Sequence, residues 1–438
     1  MLQKLQKKTT LANAITETIA DFEEKIHLTF EKELIQQDEE YHKSMKWKKD
    51  GYACYGKRER IVYFKSGKIS LSRYYYYNRK MKNGKFWLDE TFDIRRYKRI
   101  ADDIYKYVYE NFGEIPVNVI AKKLGFSRQS IYNILNELGQ KKIQEEVEIS
   151  NVRTLYLQAD EDHIKTQKQA TRSRSIQGRI ITLYEDRQEI SKGRYKLINK
   201  RQFIYSSKVP PKEIWEEIEK YISLKYPKLE KLYFGADGGN WIKKGIMILE
   251  DVATDVIYIY DKFHLKQNVM RMFQGFNSQM HAYGLIKDGK ALEFVEYYYN
   301  HVKKYDRTAN FVETAFKTVI HNWQAVQNNF IYSDYYGTSA ESQVSHYLSK
   351  YFSSRPKAFA QKSLKNYLNL VEYRLNGITY HQYQNAPVIA ENERFIANLD
   401  ECHTFSRSSY NNNSSVIAVL NHAANTELRK TFSNIVGY

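Results

Sequence analysis

The chain has 438 residues, with 68 Lys and Arg against 51 Asp and Glu, a net charge of +17 and a pI near 9.3. That length predicts roughly two or three domains with a real core, and a positive excess spread along the chain makes nucleic acid the first partner to expect. Two distant cysteines, Cys54 and Cys402, argue against a disulfide framework and a cysteine zinc site. No apolar run approaches the ~20 residues of a membrane span, and the N-terminus MLQKLQKKTT has no signal core, so a cytoplasmic, non-membrane protein is expected.

Within segment 1–46, Leu11, Ile15, Ile19, Phe22, Ile26, Phe30 and Leu34 recur at spacings of three and four with no Gly or Pro up to Tyr41, the pattern of an amphipathic helix. The spacing is not a sustained heptad, so packing on a neighbouring domain is favoured over a coiled-coil homodimer, which stays open. Segment 47–95 reads as a basic antiparallel β meander, with Ser66-Gly67 and Asn83-Gly84 as its turns and Arg58, Arg60, Lys65, Lys68, Arg73, Arg79, Lys80, Lys82 and Lys85 as a face suited to a DNA backbone.

Segment 96–145 opens with a helix over Tyr97–Phe112. PVNVIAKKLGFSRQSIYNILNELG then supplies an apolar face at Val119, Ile120 and Leu124, a sharp turn at Gly125, a cap at Ser127 and a second inner face at Ile131, Ile134, Leu135 and Leu138. These are the lengths of a helix-turn-helix, and Arg128, Gln129, Ser130, Tyr132 and Asn133 would occupy the side of the second helix that reaches bases or phosphates.

The polar stretch Gln140–Ser150 marks the boundary to the largest domain, 151–376. Thr154–Ala159, Ile176–Arg187 and Tyr195–Tyr205 read as strands, Ile214–Leu224 as a helix and Lys231–Gly235 as a fourth strand. Three strands, a helix and a strand is the order of an α/β, ribonuclease-H-like fold in which the first and fourth strands are parallel neighbours. Residues 265–332 form a helical insertion. A helix with Ser339 as its cap carries Glu341 in its first turn, Gln361–Leu375 is a further helix, and 377–438 is a C-terminal segment with a loop at Asn411–Ser415 and a short helix.

Acids stand at the ends of these strands. Asp160 and Asp237 share one alternation phase, so on neighbouring strands both carboxylates can point the same way. Asp162 shares the phase of Asp160 and competes with it, although Asp160 abuts the apolar run directly. Val256–Tyr260 ends in Asp261, with His264 three residues on; this pair reads equally as a structural hydrogen-bonding pair and as a group near DNA. Metal-assisted phosphodiester cleavage needs carboxylates around two divalent ions. Asp160 and Asp237 on strands and Glu341 on a helix satisfy that requirement, and such oxygens suit Mg2+, with Mn2+ as an alternative.

QADEDH, LYFGADGGNWIKKG, YDKFHLKQ and GTSAESQVSHYLSKYFSSRPKAF, in this order and together with LDETF ahead of the helix-turn-helix, resemble the blocks of the Lre-type insertion-sequence transposases of bacteria. That family resembles the Mutator-like DDE transposases, which implies a ribonuclease-H-like core, a helical insertion between the second Asp and the Glu, and an Asp/Cys-x-x-His signature that falls here on Asp261 and His264. Asp160, Asp237 and Glu341 would be the DDE triad. The expected function is a DNA transposase, nucleoid-associated, that cleaves the terminal inverted repeats of its element and joins the 3′-hydroxyl to target DNA. A DNA-binding regulator on a decayed core and a structure-selective nuclease are the alternatives.

Overall fold

The computed structural model describes residues 11–92, 94, 97–167, 175–306, 309–337, 343–353, 358–388 and 394–397. The chain divides into two compact units, Met1–Leu138 and Gly139–Tyr438.

The first unit begins with α1 (Leu11–Lys43) and a single turn α2 (Lys46–Lys49), followed by an antiparallel meander of β1 (Ala53–Phe64), β2 (Gly67–Asn78) and β3 (Asn83–Lys85). Because β3 covers only the end of β2, amides further along β2 need other acceptors. Helix α1 supplies them: Ser70 N donates to Glu31 Oε2 at 2.9 Å and Tyr74 N to Asp38 Oδ2 at 2.7 Å. Seven helical residues and four strand residues advance by comparable distances, roughly 10–13 Å, so the two carboxylates keep step with the strand. His27 meets Ser66 at the β1–β2 turn at 2.7 Å, and the helix N-terminal to it overhangs the sheet. Ile15, Ile19, Phe22 and Ile26 on that overhang are exposed, Phe30 beyond it is exposed as well, and Leu34 is buried, against the expectation that the whole stripe would pack.

Two further expectations for the meander are corrected. The chain reverses at Arg79–Lys82, with Lys82 at φ 51°, and Asn83-Gly84 lies in β3 opposite Asn78 and Tyr77. Gly84 is needed there because a Cβ would come within 2.0 Å of the Tyr75 hydroxyl. Arg60 and Arg73 are not on the basic face: both turn inward onto Asp89 of α3 (Trp87–Thr91), each at 2.8 Å, since a buried carboxylate in this small core must be neutralised. The unit closes with α4 (Asp102–Asn111), shorter than the helix expected from Tyr97, then α5 (Val117–Leu124) and α6 (Arg128–Gln140).

The second unit holds β4 (Glu145–Val147), β5 (Thr154–Lys165), β6 (Ser175–Tyr184), β7 (Asp186–Ser191), β8 (Arg194–Ile198), β9 (Arg201–Ser206), α7 (Pro211–Lys225), β10 (Lys231–Ala236), α8 (Asn240–Ile248) and β11 (Asp255–Tyr260). Five strands make a mixed sheet in the order β11-β10-β5-β6-β9, with β10 parallel to β5 and β11 and the remaining pairs antiparallel. The two long strand runs expected over Ile176–Arg187 and Tyr195–Tyr205 each break in two. Their inner parts are β6 and β9 of the sheet, and their outer parts pair as the exposed hairpin β7–β8, with Asn199 at φ 48° at the second break.

Alternation sorts the sheet's side chains. Leu155, Leu157, Ala159, Leu232 and Phe234 pack with Ile214, Trp215, Ile218 and Ile222 of α7 and Trp241 and Ile242 of α8. Tyr156, Tyr184, Tyr233, Ile257 and Ile259 form a second cluster with Tyr335, in which Tyr156 stacks on Tyr184 and Tyr233 at 5.1 and 5.4 Å. After β11 come α9 (Lys262–Met272), α10 (Phe276–Lys287), α11 (Ala291–Tyr305), α12 (Asn310–His321) and α13 (Trp323–Ile331), which share an apolar core around Phe273, Phe294 and Phe316. A π-helical segment Val344–Ser353, helices Gln361–Leu375 and Tyr380–Asn385, and β12 (Phe395–Ala397), parallel to β4, complete the unit.

Both sheet edges are closed by side chains. Asn328 and Asn329 of α13 donate to the carbonyls of Tyr258 and Tyr260, each at 2.7 Å. On the far edge Asn376 both accepts from Gln202 N and donates to Gln202 O, and Glu372 accepts from Ile204 N. Unpaired strand edges invite further pairing, and these amides and carboxylates remove that opportunity.

Candidate metal centre

The β5–β10 ladder ends at Ala159 opposite Ala236, and the β10–β11 ladder ends at Ala236 opposite Tyr260. The next residue on each strand is an acid, so Asp160, Asp237 and Asp261 occupy one row across three parallel strands. Strand β5 does not stop there as the sequence suggested. It runs on to Lys165, held by β6, with Asp160 opposite Ile180 and Asp162 opposite Gly178. Beyond Ala236 the chain leaves the sheet at Gly238, which has φ +85°, a conformation that favours glycine, and where a Cβ would press on Asn322 Nδ2 at 3.0 Å. Gly239 N donates to Asp237 Oδ1 at 3.1 Å and fixes the carboxylate in the turn.

Asp261 is buried and caps α9, accepting from Phe263 N at 2.6 Å through Oδ1. The cap sets the first turn of that helix and with it His264. One ligand atom each from Asp160, Asp237 and His264 lies within 4.8 Å of the others. Asp160 is 6% exposed and accepts from Glu161 N, and His264 Nε2 is buried with no hydrogen-bond partner among the described residues. Two carboxylates and an imidazole at this separation, with one ring nitrogen unsatisfied, fit a divalent cation.

Asp162 stands apart from this group. Its Oδ2 accepts from Ser349 Oγ at 2.9 Å, and its Oδ1 from His163 N. Ser349 carried no signal in the sequence, because it reaches the strand from the π-helical segment far along the chain. Glu341 lies outside the described residues. The segments flanking it are held over the acid-bearing face: Gly337 O accepts from Gln158 Nε2 at 3.5 Å, and Gln343 Oε1 from Gln202 Nε2 at 3.0 Å. On the opposite face of β5, Glu161 accepts from Gln177 and pairs with Arg179 at 3.8 Å. Burial pushes the Glu161 carboxyl up, Arg179 opposes that, and the charge of Asp237 adds to it. Burial likewise raises the Tyr260 hydroxyl, with Asp237 reinforcing the shift.

In the first unit Gly125 ends α5 at φ 69°, and Ser127 Oγ accepts from Ser130 N at 3.0 Å at the start of α6. Ile120, Ile131, Ile134, Leu135 and Leu138 are buried, whereas Val119, expected on the inner face, is exposed. Arg128, Gln129 and Asn133 are exposed, Ser130 and Tyr132 half-buried, and Gln129 donates to Asn133 at 2.9 Å.

Residues 9–386 match the sequence profile of a catalogued family. The chain belongs to the uncharacterised protein family UPF0236. Among its relatives are two UPF0236 proteins of Caldanaerobacter subterraneus subsp. tengcongensis, TTE0610/TTE0881/TTE1053/TTE2432 and TTE1650/TTE2708. Each is 27% identical over 324 residues that cover 71% of this chain, and 66% and 63% of the relatives respectively. The chain therefore spans less than two thirds of the length of these relatives. Among solved structures, the Drosophila P element transposase strand transfer complex matches with a TM-score of 0.25 at 12% identity, over 68% of this chain and 83% of that one. The crystal structure of NurA matches with a TM-score of 0.11 at 14% identity, over 73% and 71%. Scores this low leave fold and function to be argued from the chain itself. Among the described residues no helix is long and apolar enough to cross a membrane.

Proposed function

We propose that this UPF0236 protein is a DNA transposase of the Lre type, built on a ribonuclease-H-like core, that cleaves the ends of its element and joins the freed 3′-hydroxyl to target DNA. The observation that carries the reading is the placement of Asp160 and Asp237 in one row on adjacent parallel strands, at the centre of a mixed sheet ordered β9-β6-β5-β10-β11. That order is the one expected of three antiparallel strands followed by two parallel ones, and it brings acids distant in sequence to one point.

In this reading Asp160 and Asp237 hold Mg2+ or Mn2+, with Glu341 as the third carboxylate. When bound, divalent ions stabilise the attacking and leaving oxygens of an in-line phosphodiester displacement. The protein's part is positional. Glu161 N and Gly239 N orient the two carboxylates before substrate arrives, and the buried stack of Tyr184, Tyr156 and Tyr233 ties the strands that carry them together four residues earlier. The exposed Lys and Arg of the meander and the outer side of α6 hold double-stranded DNA, both terminal repeats and target.

The test is a plasmid carrying the DNA that brackets the gene, incubated with the full chain and Mg2+. Nicks that leave a 3′-hydroxyl at the element ends, followed by joined products, are expected. Binding of the ends without nicking would favour a regulator, and nicking without joining a nuclease.

A further inference from the structure

We infer that His264 is a direct nitrogen ligand of the metal held by Asp160 and Asp237, and that the centre therefore prefers a first-row transition dication of the Mn2+ class over Mg2+. This rests on the reading of the two aspartates as metal ligands. It goes beyond that reading in naming the donor that sets the choice of metal.

The sequence-based expectation of magnesium rests on carboxylates alone, because Asp261 and His264 read equally as a structural hydrogen-bonding pair at the start of a helix. Folding changes the donor set. Register carries β11 to the same row as β5 and β10, Asp261 caps α9 at once, and the helix then turns His264 back toward the row one turn in. The result is two oxygens and one nitrogen within 4.8 Å of one another.

Two observations make coordination a better account than a hydrogen-bonding role. His264 Nε2 is buried with no hydrogen-bond partner among the described residues, which costs stability unless a further group satisfies it. The capped helix also fixes the backbone from which the ring projects, and the ring lies edge-on to that of Phe263 at 5.5 Å. An imidazole nitrogen contributes little toward Mg2+, a hard ion that keeps oxygen ligands and water. It contributes substantially toward first-row transition ions.

The experiment uses the full chain and Mn2+ alone, with no DNA, so that it reads binding and not activity. Pulsed electron paramagnetic resonance on the Mn2+-loaded protein should show the nitrogen coupling of one coordinated imidazole, and the coupling should disappear in His264→Ala. In calorimetry His264→Ala should weaken Mn2+ by on the order of tenfold or more while changing Mg2+ much less. His264→Gln, with a thermal melt beside it, guards against a variant that merely unfolds. Bound Mn2+ without nitrogen coupling in the wild type would overturn the inference and leave the carboxylate site standing. Failure to bind Mn2+, or equal binding after Asp160→Asn and Asp237→Asn, would overturn the inference and the metal reading together.

Discussion

Asp160 and Asp237 are register partners one step beyond the last paired residues of two parallel strands, Ala159 and Ala236. Like charges in adjacent positions repel, a cost that the proposed cation would offset. Asp237→Asn retains the oxygen that accepts from Gly239 N but removes the charge. Metal-dependent nicking should then fall by more than the roughly 10–100-fold typical of losing an outer partner of a metal ligand. DNA binding, which the proposed function assigns to basic residues elsewhere, should be unchanged in a gel shift, and the metal-free melting temperature should be equal or higher. Equal nicking by both proteins would remove Asp237 from the site.

The turn that aims Asp237 makes a separate prediction. Gly238 sits at φ +85° with Asn322 closing the space where a side chain would go. Gly238→Ala should cost about 1–3 kcal/mol in urea unfolding and should also lower nicking, because the strain is relieved by moving the turn that carries the carboxylate. A variant with wild-type stability would show that this turn tolerates a Cβ.

Much of this arrangement was legible in the sequence, for reasons particular to its elements. Period-two alternation fixes which residues share a face, so Tyr156, Gln158, Asp160 and Tyr233, Gly235, Asp237 could be matched before their strands were known to pair. Where strands end was not legible. Residues 160–165 begin with three acids, so the strand reads as ending at Ala159, yet β6 pairs them, and neighbour pairing outweighs local composition. The split of Ile176–Arg187 into β6 and β7 was hidden in the same way, as was the inward turn of Arg60 and Arg73 toward Asp89. His264 was a secondary candidate because no local pattern shows that a helix start on β11 faces a strand end on β5.

Recognition of element ends is expected from the outer side of α6. Arg128 is exposed and free to reach a phosphate or a base edge, whereas Gln129 is already bonded to Asn133. Arg128→Ala should therefore weaken binding more than Gln129→Ala. If Arg128 holds a phosphate, its loss should lower the slope of log affinity against log salt by about 1; if it reads a base, discrimination between end and random sequence should fall with the slope nearly unchanged. Fluorescence anisotropy on labelled duplexes at several salt concentrations separates the two. Unchanged affinity for both variants would move recognition to another surface.

The ionic cluster beside β9 makes stability depend on pH in a way whose sign can be worked out. Glu145 receives Arg201 at 2.6 and 2.9 Å and Arg394 at 3.1 Å, and Arg394 also meets Glu217 and Glu372. Burial pushes the Glu145 carboxyl up, but the two guanidinium groups outweigh it and hold the folded value below the ordinary 4.5. A carboxyl depressed in the folded state stabilises fully above its unfolded value, and that contribution is lost as pH falls through the folded one. Glu372 is pushed the other way, raised by burial in spite of Arg394 and Arg201. It is present in both proteins and cancels to first order in their difference. Glu145→Gln should thus cost about 3 kcal/mol near neutral pH, where it leaves buried arginines underpaired. The gap to wild type should close as pH drops below about 4.5. Urea melts of both proteins across that range provide the measurement. A gap that stays constant into acid would mean that Glu145 holds its proton equally well folded and unfolded, so that the guanidinium groups do not favour its charged form; a gap that widens in acid would mean that it is neutral in the folded protein.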